Sequence, residues 1–272
     1  IWAKAEWEQP GGSVKARAAH AIISKAIRSG KLHSRNSLLD ASSGNTAIAY
    51  ATLLKPLGWK PTICLPSNAS AERKNILKSL GAELILTSPL EGTDGAQIVA
   101  KETYAANPDK YFYADQYSND ANWQAHYLTT AEEIWTQTKG KITHFVAGLG
   151  TTGTFVGTAR RLKELGNVQL ISLQPDHPFH PLEGWKHLAT AHRPGIYDDT
   201  LADKTLVIDS SGVFDMIKSI SIHERLFRSP SGAANLLGAL EVASQIKEGD
   251  IVTTLADTLD RYQEVRKEIF GT

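Results

Sequence analysis

The sequence has little of what secreted, membrane-spanning or disulfide-stabilised proteins are built on. Its 272 residues hold a single cysteine, Cys64, so no disulfide can form within the chain. That cysteine lies in the apolar run 62–65, which predicts a buried, unreactive thiol in a reducing compartment. No signal peptide and no apolar stretch of membrane-spanning length is visible. These absences favour a cytoplasmic location and argue against a membrane partner.

An excess of charge of one sign is also missing. Lysine and arginine together number 29, as do aspartate and glutamate, so the formal net charge is zero. Nucleic acid and anionic lipid are therefore not expected partners, because both select for clustered positive charge. The histidines of residues 175–204 match no standard metal spacing, so we expect no metal site. A weaker alternative places three basic side chains of that region near a leaving group or substrate anion: His180, Lys186 and His187.

What the sequence does have is a regular alternation of short apolar runs with amphipathic helical segments. With 42% hydrophobic residues, the chain can bury one large core or two smaller ones. The alternation predicts an α/β fold of βαβ units, with mostly parallel twisted sheets and helices on both faces. A division near residues 114–122 predicts two three-layer αβα domains, residues 1–115 and 116–272, with residues 1–13 packed on the second. Because residues 1–6 look like the middle of a strand, we also expect residues before them.

The first of three chemically informative turns is Gln-Pro-Gly-Gly-Ser-Val-Lys-Ala-Arg at residues 9–17. A proline and two glycines end an extended run, Ser13 occupies the position of a helix N-cap, and Lys15 falls in the first turn of the helix. A lysine held there away from water loses its proton more readily, because the helix dipole disfavours its charge. Such amines form Schiff bases with carbonyl cofactors. Taken alone, the turn fits an ordinary solvated lysine at a helix start better than a reactive one.

The second turn, residues 148–154, reads Gly-Leu-Gly-Thr-Thr-Gly-Thr and precedes a helix. Glycines let backbone N–H groups approach an anion closely, and the helix N-terminus that follows favours a phosphate. The same letters fit a dinucleotide-binding pattern through Gly148, Gly150 and Gly153, with Asp176 as the ribose-binding acid. A tight packing turn is the third interpretation.

The third turn, residues 42–46, reads Ser-Ser-Gly-Asn-Thr and also opens a helix. Its hydroxyls, amide and N–H groups suit a carboxylate, although an ordinary helix cap has the same composition. Ligands of parallel α/β sheets bind at the carboxyl ends of strands, so all three turns could face one cleft. Elsewhere, residues 120–138 predict one long helix, and residues 175–204 predict a loop with a short helix on the active-site side.

Together the three turns resemble the cysteine synthase and cystathionine β-synthase family of pyridoxal phosphate (PLP) enzymes. The motifs are residues 10–15 around the Schiff-base lysine, 43–46 in the substrate loop and 150–154 in the phosphate loop. The resemblance extends over nearly the whole chain and is closest to sulfhydrylases of the cysteine synthase B type. It implies fold type II, the fold of the tryptophan synthase β-subunit.

The resemblance also implies a role for each matching residue. Lys15 would hold PLP and then move the α-proton, Asn45 would bond the ring oxygen, and Ser231 would face the pyridine nitrogen. A pairing shifted by one residue would put Pro230 at the nitrogen instead. The cofactor phosphate would be bound by Gly150, Thr151, Thr152, Gly153 and Thr154. The substrate carboxylate would be held by Ser42, Ser43, Gly44, Thr46 and Gln116.

The activity that the resemblance implies is cysteine synthesis. In this reaction sulfide or another sulfur donor replaces the β-substituent of O-acetyl-L-serine or O-phospho-L-serine, through a bound aminoacrylate. A cytoplasmic homodimer is implied, whose partners are two small molecules, the amino acid and the sulfur donor. The nearest alternative is a serine/threonine dehydratase or cystathionine β-synthase on the same fold, and a dinucleotide oxidoreductase is more distant.

A catalytically silent family member that acts as a binding protein is a further alternative. It is motivated by departures from the family pattern, in which Ala16 replaces an aspartate and residues 228–233 differ from Gly-Ile-Ser-Ser-Gly-Ala. Arg228 and Pro230 are the clearest of these differences. Thr152 also replaces a glycine that is frequent in related phosphate loops.

Overall fold

The computed structural model describes residues 1–42 and 44–271, and the chain opens with strand β1, Trp2–Ala5. The described residues form two compact units, one of residues 9–122 and one of residues 1–8 with residues from 123 onward. Each unit is built on one sheet whose neighbouring strands all run parallel. The parallel α/β architecture predicted from the sequence is confirmed. The domain boundary predicted between residues 115 and 116 stays a prediction.

Among its described residues, the unit of residues 9–122 contains four strands and, before Asp120, four α-helices. The strands are β2 Ser37–Ala41, β3 Thr62–Pro66, β4 Glu83–Thr87 and β5 Tyr111–Tyr113, in the order β4-β3-β2-β5. The helices are α1 Lys15–Arg28, α2 Asn45–Leu54, α3 Ala71–Ser79 and α4 Gly92–Ala106. Strand β3 is buried at every position, which explains why its sequence is a continuous apolar run without alternation.

Helix α1 packs against α2 through small and branched apolar side chains. Ile22 and Ile23 lie on its buried face with Ala16, Ala19 and Ala26, and all five belong to one core with Tyr50 and Leu54 of α2. Small residues let the two helices approach closely, because few side-chain atoms separate their backbones. Ala16, which departs from the family's aspartate, is therefore part of this apolar interface.

The start of α1 differs from the prediction. Its N-cap is Val14, and no side chain caps the helix. The hydroxyl of Ser13 is buried without a hydrogen-bond partner among the described residues. Gly11 and Gly12 have positive φ angles of 80° and 71°, and the Gly12 N–H donates to the Gln9 carbonyl at 2.7 Å. This turn reverses the chain before Ser13, so the prediction of Ser13 as N-cap is wrong.

The second unit contains the remaining strands, β6 Ile142–Gly148, β7 Gln169–Pro175, β8 Lys204–Ile208 and β9 Asp250–Leu255, in the order β1-β9-β6-β7-β8. Its helices are α5 Asp120–Ala125, which begins in the first unit, α6 Ala131–Gln137, α7 Gly153–Leu165, α8 Val213–His223, α9 Pro230–Gln245 and α10 Gln263–Phe270. In the described part of the chain, no helix has both the length and the apolar character needed to cross a membrane.

Two predicted helices are corrected by the structure. The single helix predicted over residues 120–138 is instead α5, a π-helical turn at His126–Thr130, and α6. Residues 176–203 are all described and contain only turns, bends and irregular segments, so the short helix predicted there is wrong. Proline cannot continue a helix, and three prolines interrupt that stretch: Pro178, Pro181 and Pro194.

Candidate active site

Lys15 is the first residue of α1 and lies half-buried between two buried neighbours, Val14 and Ala16. The turn at Gly11 and Gly12 brings the chain to this helix N-terminus. Two residues before the lysine lies the buried, unpartnered hydroxyl of Ser13. A primary amine at a helix start, partly withdrawn from water, is suited to covalent binding of a carbonyl ligand.

The loop between β2 and α2 is organised around the hydroxyl of Ser42. Its Oγ accepts hydrogen bonds from the backbone N–H groups of Gly44 and Ala47, each at 3.3 Å. Asn45 is the first residue of α2 and is half-buried, with Gly44 as N-cap. The predicted site residue Ser43 lies outside the described residues. The N-terminus of α2 therefore presents N–H groups and the Asn45 amide at the carboxyl edge of the sheet.

Gln116 and Thr46 lie together at the same edge. The Thr46 hydroxyl donates to Oε1 of Gln116 at 2.7 Å, and Nε2 of Gln116 donates to the Ala41 carbonyl at 2.9 Å. Both residues are buried. Three predicted carboxylate-binding residues, Ser42, Thr46 and Gln116, are thus gathered where β2 and β5 end.

Asp40 is a further residue at this edge, and its role was not predicted from the sequence. It is 1% exposed and accepts the Tyr50 hydroxyl at 2.9 Å. Burial raises its pKa to about 7, against the opposing effect of hydrogen bonds from Ala41, Tyr50 and Gln116. The available signal was an acid inside the buried strand Ser-Leu-Leu-Asp-Ala.

The glycine-rich loop of the second unit follows β6 and leads into α7. The Gly148 N–H donates to Oδ1 of Asn235 at 2.8 Å, which fixes the start of the loop. A Cβ at Gly150 would lie 1.8 Å from the Gly184 carbonyl oxygen, and one at Gly148 would lie 1.9 Å from the Trp185 ring. Neither approach is possible for a residue with a side chain, so the packing itself demands glycine.

The threonines of this loop supply hydroxyls beside the N-terminus of α7. Thr151 and Thr152 are buried, and Gly153 begins the helix. The Thr152 hydroxyl has no hydrogen-bond partner among the described residues, although it is fully desolvated. Gly148 and Gly150, whose packing leaves no room for a Cβ, form a glycine cradle. An unused buried donor next to this cradle and to a helix N-terminus fits a phosphate group.

His126 packs directly behind this loop and was also missed. It is 2% exposed and opens the π-helical turn. Its Nδ1 lies 2.9 Å from Oγ1 of Thr130, and its Nε2 lies 3.3 Å from Oγ1 of Thr154. A π-helical turn is rare and cannot be inferred from apolar spacing, so no signal in the sequence pointed to this contact.

The N-terminus of α9 carries Ser231. Ser229 is the N-cap, whose hydroxyl accepts from the Gly232 N–H at 3.3 Å, and Pro230 is the first residue of the helix. The Ser231 hydroxyl lies 3.2 Å from that of Ser229, and both serines are buried. Of Pro230 and Ser231, only Ser231 has a side chain able to hydrogen-bond a ring nitrogen.

Arg228 precedes this helix and departs from the family pattern. Its guanidinium stacks over the Trp7 ring, with Cζ 3.5 Å from the ring centroid. The side chain is buried, and Nε and Nη1 have no hydrogen-bond partner among the described residues. Burial lowers the pKa of the guanidinium, which nevertheless stays charged at neutral pH. The stack on Trp7 explains how the loop accommodates an arginine there.

The segment of residues 175–204, which contains several histidines, contacts the glycine-rich loop through its backbone. The Lys186 N–H donates to the Leu149 carbonyl at 2.8 Å. Ser210 donates to Oδ1 of Asp176 at 2.6 Å and lies 3.3 Å from Nε2 of His177, beyond the ends of β7 and β8. Across residues 1–42 and 44–271, no three side chains of His, Cys, Asp or Glu come together as a metal site would require.

The chain is similar to known proteins over nearly all of its length. A family described as "Pyridoxal-phosphate dependent enzyme" matches residues 1–257. A cysteine synthase of Aquifex aeolicus is 43% identical over 96% of this chain and 82% of that protein. Cysteine synthase B of Escherichia coli is 36% identical, over 96% of this chain and 86% of its own length.

Solved structures give the same result for the fold. Cysteine synthase from Entamoeba histolytica superposes with a TM-score of 0.87 and 30% identity, covering 96% of this chain and 79% of that one. An O-acetylserine-dependent cystathionine β-synthase from Helicobacter pylori superposes with a TM-score of 0.89 and 31% identity, covering 95% of this chain and 87% of that one. The fold and family predicted from the three turns are confirmed. The chain belongs to the family of pyridoxal-phosphate-dependent enzymes that contains the cysteine synthases.

Proposed function

We propose that this protein is a PLP-dependent cysteine synthase. Its reaction replaces the acetate or phosphate of O-acetyl-L-serine or O-phospho-L-serine with sulfide or another sulfur donor, giving L-cysteine. The observation that carries the proposal is the 43% identity to a cysteine synthase over 96% of the chain. PLP, when bound, supplies an electron sink that acidifies the substrate's α-carbon and promotes loss of its β-substituent.

The residues present fit this cofactor in both units. In the first, Lys15 would hold the aldehyde carbon covalently and Asn45 would hydrogen-bond the ring oxygen. In the second, the glycine cradle and the unused Thr152 hydroxyl support binding of the phosphate. We assign that group to the loop residues Gly150, Thr151, Thr152, Gly153 and Thr154, and the ring nitrogen to Ser231. A neutral hydroxyl at the nitrogen would leave it unprotonated, which suits β-elimination.

The chain's own residues then bind the substrate and move its proton. The N-terminus of α2 and the side chains around it attract the α-carboxylate, through Ser42, Ser43, Gly44, Thr46 and Gln116. The Lys15 amine, once free, lies at a helix start that disfavours its charge, so it can accept the α-proton as a general base. We expect loop closure on the carboxylate to exclude water from the reacting carbon.

A second candidate is formation of cystathionine. The likeness to the O-acetylserine-dependent cystathionine β-synthase from Helicobacter pylori favours it. Both reactions begin with the same activated serine and differ in the thiol that adds. The two reactions therefore differ in their second substrate, and identification of the product distinguishes them.

The test is product identification with the PLP-loaded protein and O-acetylserine. We expect L-cysteine when sulfide is supplied and little cystathionine when homocysteine is supplied. Cystathionine as the main product would favour the second candidate. Pyruvate and ammonia without a sulfur-containing product would indicate a dehydratase, and no turnover at all would indicate a silent binding protein.

The proposal extends to the oligomeric state, the cellular location and the roles of the two domains. We expect a homodimer in the cytoplasm, and light scattering of the purified PLP-loaded protein measures the first directly. We also infer that the domain of residues 1–115 carries the Schiff-base lysine and the substrate loop, and that the domain of residues 116–272 carries the loop that binds the PLP phosphate.

A further inference from the structure

The carboxyl edge of the sheet β4-β3-β2-β5 holds a buried acid to which the proposed mechanism gives no role. Oδ1 of Asp40 accepts the Ala41 N–H at 2.9 Å. Its Oδ2 accepts the Tyr50 hydroxyl at 2.9 Å and the Gln116 N–H at 3.4 Å. All three partners are donors, which is the arrangement that an ionised carboxylate requires.

The same contacts fix the orientation of the Gln116 side chain. Its Nε2 donates to the Ala41 carbonyl, which can only accept, while its Oε1 accepts the Thr46 hydroxyl. The two ends of the amide therefore cannot be exchanged. The backbone carbonyl of Gln116 accepts a hydrogen bond from Nδ2 of Asn122 at 2.7 Å. One N–H of Nε2 engages Ala41, and the amide has a second.

We propose that Asp40, supported by Tyr50, is a positioning residue for the carboxylate of the amino-acid substrate. Asp40 holds the backbone of Gln116, and Thr46 holds its amide, so that the second N–H of Nε2 is presented to the carboxylate. Because the Thr46 hydroxyl donates its one hydrogen to Gln116, Thr46 then acts on the carboxylate through Gln116, which refines the direct role assigned to it above. This inference rests on the proposed function, because it needs an amino-acid substrate at this edge.

The charge on Asp40 is part of the arrangement. If the carboxyl takes up a proton, only the Tyr50 hydroxyl among its three partners can become an acceptor, and the Gln116 N–H loses a charged partner. The titratable groups that interact electrostatically with Asp40 lie on α2, on β3, on β5 and after β5: Tyr50, Cys64, Tyr113, Asp115 and Tyr117. Protonation of Asp40 should therefore weaken substrate binding as the pH falls.

The test compares KM and kcat for O-acetylserine in the PLP-loaded enzyme at pH 8. Asp40→Asn should raise KM about tenfold, the effect of losing one hydrogen bond to a charged acceptor, with kcat within about twofold. Tyr50→Phe should raise KM by a smaller factor. Thr46→Val should also raise KM, whereas Thr46→Ser, which keeps the hydroxyl, should leave KM close to that of the unsubstituted enzyme. Ser37→Ala is the matched control, because Ser37 lies at the other end of β2 and bonds Lys60 and Thr62.

Two further readouts separate this inference from the proposed function. The visible absorption of bound PLP should be unchanged in every variant, since Asp40 holds Gln116 and not the cofactor. In the unsubstituted enzyme, KM should rise below about pH 7, and Asp40→Asn should remove that rise. If Asp40→Asn fails to fold, Tyr50→Phe and the pH profile of the unsubstituted enzyme still test the positioning role of Asp40.

The opposing results are distinct. If all variants make cysteine with the KM of the unsubstituted enzyme and the same pH profile, Asp40 has no positioning role and the inference is overturned. If the unsubstituted enzyme makes no cysteine, the proposed function fails. In that case titration of the PLP absorption with O-acetylserine compares the dissociation constants of the variants, and equal constants overturn the inference.

Discussion

At the scale of single residues, Thr152 combines two unfavourable features. Its φ angle is +70°, in the left-handed region that a β-branched side chain rarely adopts. Its hydroxyl is buried without a hydrogen-bond partner among the described residues. Each feature costs about 1–2 kcal/mol. A phosphate that accepts from this hydroxyl would offset part of that cost, which links the strain to cofactor binding.

Thr152→Gly should therefore stabilise the cofactor-free protein. We expect its free energy of unfolding to rise by about 1 kcal/mol, because glycine adopts positive φ freely and leaves no unpaired hydroxyl. The affinity for PLP should fall at the same time. Thr151→Gly is the control, since Thr151 has no positive φ, and it should destabilise. Urea denaturation measures the free energy of unfolding and PLP titration measures the affinity. A Thr152→Gly protein that is less stable than the unsubstituted one would contradict the strain argument.

Asp40 makes a prediction about stability and pH. Its pKa is about 7 in the folded protein, and an unfolded aspartate has a pKa of about 3.9. Between these values the folded state binds more protons than the unfolded state, so the free energy of unfolding falls as the pH rises. From pH 5 to pH 7 this titration lowers the free energy of unfolding by about 2 kcal/mol.

Urea denaturation at pH 5 and pH 8 checks this. The loss of stability between the two values should be smaller in Asp40→Asn than in the unsubstituted protein, because asparagine does not titrate. Other groups contribute equally to both proteins and cancel. Equal losses would mean that Asp40 is not the titrating group.

At the scale of elements, the loop between β6 and α7 depends on close backbone packing. Gly150→Ala would place a Cβ 1.8 Å from the Gly184 carbonyl oxygen, so either the loop or the facing segment must move. We expect a loss of about 2–4 kcal/mol in stability and of PLP affinity. Gly212→Ala is the matched control, because nothing lies within 4 Å of its Cβ position. Similar melting temperatures for the two variants would contradict this account of the loop.

Features set by local backbone preferences were mostly predicted from the sequence, with the Ser13 N-cap as an exception, whereas features that depend on packing were missed. The residues at 148–154 predict their turn and helix start, because glycine conformations and helix N-termini are local properties. The π-helical turn at His126–Thr130 has no local signal, since it depends on contacts with α7 such as that between His126 and Thr154. For Asp40 the sequence offered a signal, an acid inside an apolar strand, but its contacts with Tyr50 and Gln116 come only from the tertiary fold.

At the scale of the whole molecule, the two-sheet organisation follows from the alternating pattern, because parallel strands need crossover helices. The pattern could not give the strand order. In particular, the pairing of β1 with β9 joins Trp2 to Val252, which no short-range signal can predict.

The central claim is that the Lys15 amine carries the cofactor. Borohydride reduction of the PLP-loaded protein, followed by peptide mass mapping, tests it most directly. We expect one phosphopyridoxyl group on the peptide that contains Lys15 and none in Lys15→Ala, which should also lose the visible absorption of bound PLP. A label on another lysine, such as Lys4 or Lys186, or no label in a protein that binds PLP, would contradict the account.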